Sequence, residues 1–94
     1  METKVRKGYV PNQPIREAFL RSGLSSYDVA AFCGWLKMKR GKLGAPDTSK
    51  VERCLGLRAA SGSSIFNKSM TEKNAIELIE ALNLDPVDFR DIGL

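Results

Sequence analysis

The chain has 94 residues, 43% of them hydrophobic and 28% charged, with a net charge of +4, two cysteines and no histidine. That length supports one domain around a single core, and the composition excludes wholesale disorder. With no histidine, no CxxC pair and no phosphate-cradling glycine motif, a zinc site and the usual acid–base or nucleophilic catalysts are excluded too, so neither an enzyme nor a bound cofactor is expected.

No apolar run approaches the length of a membrane span, and the basic, proline-punctuated start METKVRKGYVPNQP is unlike a signal peptide. The expected location is the cytoplasm or nucleoid of a host cell, with no membrane partner. Cys33 and Cys54 then read as small buried thiols rather than a disulfide. Charge is unevenly spread. Residues 1–50 hold ten Lys and Arg against four Asp and Glu, whereas residues 51–94 hold five against seven. A basic half suits a polyanionic partner, either nucleic acid or an anionic surface.

Residues 1–13 read as a flexible basic arm, with Lys4, Arg6 and Lys7 among scattered apolar side chains, and residues 14–94 as the folded domain. A first helix is expected over Pro14–Ser22, because Pro14 suits a first turn and Gly23 a left-handed exit. Ile15, Phe19 and Leu20 form its apolar stripe. A second helix fits Ser26–Cys33, opened by Ser25 with Asp28, faced by Val29, Ala30 and Cys33, and stopped by Gly34. Trp35 reads as core packing.

The stretch LKMKRGKLGAP, Leu36 to Pro46, carries four basic residues and reads as a loop or a small hairpin, docked to the body by Met38 and Leu43. A third helix is expected over Asp47–Leu55, with Ser49 and Glu52 as an S-x-x-E capping box and Val51, Cys54 and Leu55 inward. Residues 58–68 form another loop, tucked against the core by Ile65 and Phe66. The fourth helix, Thr71–Leu82, carries Ala75, Ile76, Ile79 and Leu82 at helical spacing behind a Ser69–Glu72 box. A short helix restarts at Asp85. No strand signal is strong, and the expected fold is all-α, a compact set of four or five short helices.

Two short helices followed by a third rich in small polar and charged residues make a candidate reader of double-stranded DNA. A helix fits the major groove and presents its N-terminal turns to base edges, while the start of the preceding helix can hold a phosphate. Glu52 has three open roles: orienting Arg53, completing the cap, or accepting from cytosine.

The blocks GLSSYDVAAFCGW, DTSKVERCLGL and SMTEKNAIELIEALNLDPVDF resemble the Cro and lambda-repressor-like helix-turn-helix domains of the XRE family. Leu24, Ser25, Val29, Ala30, Cys33, Gly34 and Trp35 match the first block. Val51 and Cys54 match the reader helix, and Ala81, Leu82, Leu84 and Phe89 the last. The chain departs from that pattern in the eleven-residue basic loop that replaces a tight turn and in a longer link from third to fourth helix. The variant is similar to those of actinobacterial and phage repressor-like proteins.

The resemblance implies a lambda-repressor-like domain and a sequence-specific transcriptional regulator, a repressor of phage or mobile-element type. It implies base reading by Thr48, Ser49, Lys50 and Arg53. Phosphate contacts would come from Ser25, Ser26, Tyr27, Lys37, Lys39, Arg40 and Lys42, the last four either clamping the backbone or entering a minor groove, with arm contacts from Lys4, Arg6 and Lys7. Monomer and homodimer stay open. The alternative is a protein-interaction module, such as an antitoxin or a phage factor that binds a host protein.

Overall fold

The computed structural model describes residues 8–59 and 64–92. The expected arm contacts Lys4, Arg6 and Lys7, the centre of the 58–68 loop and the last two residues lie outside the described residues.

Strand β1 (Tyr9–Pro11) opens the fold and pairs antiparallel with β4 (Ser69–Thr71), Val10 facing Met70. Both of these side chains are buried, while their strand neighbours on either side are only half-buried. This is the period-2 alternation of a sheet with one buried face. Two further bonds extend the ladder, Glu72 N–H to the Gly8 carbonyl at 3.0 Å and Asn12 N–H to that of Lys68 at 3.1 Å. Residues 8–13, expected as part of the arm, therefore belong to the folded domain.

Helix α1 (Gln13–Ser22) carries Pro14 in its first turn and ends at Gly23, φ 76°. Ile15, Ala18 and Phe19 are buried, whereas Leu20 points outward at 62% exposure. Helix α2 (Ser26–Cys33) begins with the expected reciprocal cap: the Asp28 N–H donates to Ser25 Oγ at 3.1 Å, and the Ser25 N–H to Asp28 Oδ2 at 3.3 Å. Val29 and Ala30 face inward.

Strands β2 (Leu36–Lys39) and β3 (Lys42–Pro46) form a hairpin, the second of the two alternatives open for this stretch. Its two-residue turn, Arg40–Gly41, has φ of 52° and 77°. Positive φ at both centres is what a tight hairpin turn needs to match the twist of its strands. Met38 and Leu43, expected to dock this stretch, face each other across it and are 65% and 68% exposed.

Helix α3 (Thr48–Leu55) is capped by Asp47, whose Oδ1 accepts from the Lys50 N–H at 3.2 Å, so the Ser49–Glu52 box does not form. Val51 and Leu55 are fully buried. Helix α4 (Glu72–Ala81) is capped by the Thr71 hydroxyl rather than by Ser69, which lies in β4. Ala75, Leu78, Ile79 and Leu82 are buried, whereas Ile76 is exposed. Ile65 and Phe66 are exposed rather than tucked in. Pro86–Ile92 forms 3-10 turns interrupted at Phe89.

The all-α, lambda-repressor-like expectation is thus corrected: the described residues hold two two-stranded antiparallel sheets besides the helices, a mixed α/β architecture. The reason is local in one case and distant in the other. The hairpin closes on its own turn. The other sheet buries Val10 on Met70, sixty residues away in the chain, a pairing that no local periodicity announces. No helix among the described residues is long and apolar enough to cross a membrane.

Candidate nucleic-acid interface

The residues between α2 and α3 do not drive the two helices apart in space. The hairpin closes at its base. The Asp47 N–H donates to the Trp35 carbonyl at 2.8 Å, and Leu36 pairs with Pro46. The Trp35 N–H in turn donates to the Ala30 carbonyl at 3.0 Å. The C-terminus of α2 and the N-cap of α3 are therefore joined as directly as across a short turn, with the hairpin projecting from the junction.

Trp35 is buried as expected and organises this junction. Its Nε1–H donates to Glu77 Oε2 of α4 at 3.0 Å, and the Lys50 ammonium stands 4.2 Å from the ring centroid. A cation over an indole face is held by the ring quadrupole. Lys50 is thus tethered to the junction rather than extended into solvent.

The other candidate readers divide by duty. Thr48, Ser49 and Arg53 are half-buried. With Asp47 as the cap, neither the Thr48 nor the Ser49 hydroxyl has a hydrogen bond among the described residues, nor does the Arg53 guanidinium. Glu52 neither completes the cap nor bonds Arg53; its carboxylate pairs instead with Arg58 Nε at 3.3 Å. At the start of α2, Ser25 is engaged in the cap, Ser26 is half-buried and Tyr27 is exposed. Lys37, Lys39, Arg40 and Lys42 are all exposed on the hairpin, which carries no carboxylate between Leu36 and Pro46.

Sequence reasoning missed the far end of α3. Three successive carbonyls there each receive a side-chain donor: Asn67 Nδ2 to Arg53 O at 3.0 Å, Asn12 Nδ2 to Cys54 O at 3.0 Å, and Arg16 Nη1 to Leu55 O at 3.1 Å. Asn12 is fully buried and also donates to the Asn67 carbonyl at 2.7 Å. These groups satisfy acceptors that a helix C-terminus leaves unpaired. The donors come from residues 14 to 42 positions away, so no local motif could have revealed them. Arg58 was equally invisible.

The two cysteines are free and half-buried. Burial, with the Glu77 carboxylate adding to it, pushes the Cys33 thiol up to about 11, and burial raises Cys54 as well. Such thiols stay protonated and are poor nucleophiles near neutrality. No group of three or more potential metal ligands occurs among the described residues. Comparison with protein-family models, curated proteins and solved structures finds no match.

Proposed function

We propose that the protein binds double-stranded DNA in a sequence-specific manner and regulates transcription, acting as a repressor. The observation that carries this reading is the exposed cationic hairpin rooted directly at the N-cap of α3. Phosphates are met by Lys37, Lys39, Arg40 and Lys42, and the α2 start adds the N–H groups and hydroxyls around Ser25, Ser26 and Tyr27. Thr48, Ser49 and Arg53, whose side chains make no hydrogen bond among the described residues, are the base readers. Arg53 is suited to a bidentate contact with guanine. Lys50, held over Trp35, supplies charge beside them. The resemblance of residues 14–90 to the XRE-family blocks supports the same reading.

The test is selection from a random duplex pool, repeated with Arg53→Ala. Enrichment of a defined motif that the substitution degrades supports the reading. Absence of any binding at low salt refutes it.

A second reading has one observation behind it. A concavity of about 670 Å³ lies between α2 and α4, bordered by Leu24, Phe32, Glu77 and Glu80, with Phe32 67% exposed. An apolar floor edged by carboxylates is the kind of surface a protein partner uses. Binding of that kind would lack the steep salt dependence of a phosphate contact.

A further inference from the structure

The hairpin has two unlike faces, and both are open. Across its register Lys39 stands opposite Lys42, next to Arg40 at the turn. Like charges placed directly opposite each other weaken a strand pair, and no carboxylate lies within the hairpin to offset them. The adjacent pair, Met38 opposite Leu43, points to the other face because side chains alternate along a strand. Those two apolar side chains are 65% and 68% exposed and so bury little against the body of the protein. At about 3.3 Å per residue the strands carry this tip roughly 13–16 Å from its base. An isolated two-stranded hairpin gains little stability by itself, so this one is held mainly by its tight turn and its anchored base.

An occupant that fits both faces would neutralise three clustered cations and also cover an apolar pair. Duplex DNA offers both in its minor groove, where phosphates line the rims and a base step can open to take a hydrophobic wedge. Building on the DNA-binding reading above, we infer that the hairpin enters the minor groove beside the site of α3, with Met38 and Leu43 as a wedge that partly unstacks one base step and bends the duplex. Lys39, Arg40 and Lys42 reach round to the flanking phosphates, as long basic side chains can while their stems lie on apolar surface. Flexible pyrimidine–purine steps are the preferred place for the wedge, because they unstack most easily.

The experiment uses the duplex recovered by selection, with dyes at its two ends and 2-aminopurine replacing adenine at its TA or CA steps. The wild-type protein is expected to raise 2-aminopurine fluorescence and to bring the ends closer, with a bend of roughly 20–90°. Met38→Ser with Leu43→Ser is expected to abolish the fluorescence rise and weaken binding by about tenfold or more. The thermal midpoint of this variant should be unchanged, because the pair lies outside the core. Lys39→Gln with Lys42→Gln should weaken binding and its salt dependence yet leave the bound duplex unstacked.

Tight binding with no unstacking, or the same unstacking by the serine variant, overturns the wedge and leaves the DNA-binding reading standing. Failure to bind any DNA overturns both. If the serine substitutions leave DNA binding intact but abolish self-association in sedimentation, the apolar pair is a protein contact and the inference is wrong.

Discussion

The Lys50 ammonium lies 4.2 Å from the centroid of the Trp35 ring, a contact that ties the first turn of α3 to the end of α2. The same indole donates to Glu77, so a single side chain holds α2, α3 and α4 in register at the root of the hairpin. A platform of this kind fixes where the hairpin and the α3 residues stand relative to each other, as a pre-organised binding surface requires.

Trp35→Phe keeps most of the apolar bulk but removes the Nε1–H donor and shrinks the face beneath Lys50. We expect a loss of about 1–2 kcal/mol, read by urea unfolding under far-UV circular dichroism. Lys50→Met should cost less than about 1 kcal/mol, since only the cation–ring attraction is lost. If the tryptophan variant is as stable as the wild type, the junction does not depend on this side chain.

Asp47, and not Ser49, caps α3. Asp47→Ala should destabilise by about 1 kcal/mol, whereas Ser49→Ala should fall within about 0.5 kcal/mol of the wild type in the same unfolding assay. Equal losses from both substitutions would contradict the observed cap.

Asn12 and Gly56 guard the other end of the helix. Asn12→Ala strips donors from two carbonyls inside the structure and should cost about 2–4 kcal/mol. At Gly56, where φ is 75°, an added Cβ would meet the Asn67 carbonyl oxygen at 2.6 Å and the Arg16 and Asn12 donors at 3.0 Å. Gly56→Ala should therefore destabilise by more than about 1 kcal/mol, and amide exchange in the last turn of α3 should accelerate in both variants.

How far the sequence revealed this molecule depended on the range of each interaction. The ends of α1, α2 and α3 were legible because Gly23, Gly34 and Gly56 and the Ser25–Asp28 box act within a turn of their own helix. The choice of cap for α3 was not. Asp47, Thr48 and Ser49 can all cap, and the choice falls with a bond from Asp47 to Trp35 across the base of the hairpin, twelve residues back in the chain. The β1–β4 pair was invisible for the same reason, being three residues long and sixty apart. Met38, Leu43, Ile65 and Phe66 were expected to pack inward because they are apolar, yet much of any folded surface is apolar. Of the candidate site, the hairpin cations and Arg53 could be named in advance. The Glu52–Arg58 pair and the carbonyl donors Asn12, Arg16 and Asn67 required the tertiary contacts themselves.

The raised thiol of Cys33 gives a pH signature. Unfolding returns it from about 11 to its ordinary value of 9.0, so the unfolded chain loses this proton first as pH rises. The contribution to stability is intact below pH 9 and is lost progressively as pH rises towards 11. The stability of wild type minus that of Cys33→Ala should therefore shrink over that interval in denaturant titrations. Alkylation of the folded protein by iodoacetamide near pH 8 should likewise be slower than that of the urea-unfolded chain. Equal reactivity in the two states would contradict the burial of this thiol.

The most direct test of the central claim is the salt dependence of binding to the selected duplex, followed by fluorescence anisotropy. Each phosphate neutralised contributes about −0.9 to the slope of log K against log salt. A steep negative slope is expected for the wild type, reduced in magnitude by about 2 when Lys39 and Lys42 are both replaced by glutamine. A binding constant indifferent to salt, or a slope that these substitutions leave unchanged, would contradict the assignment of the hairpin to DNA.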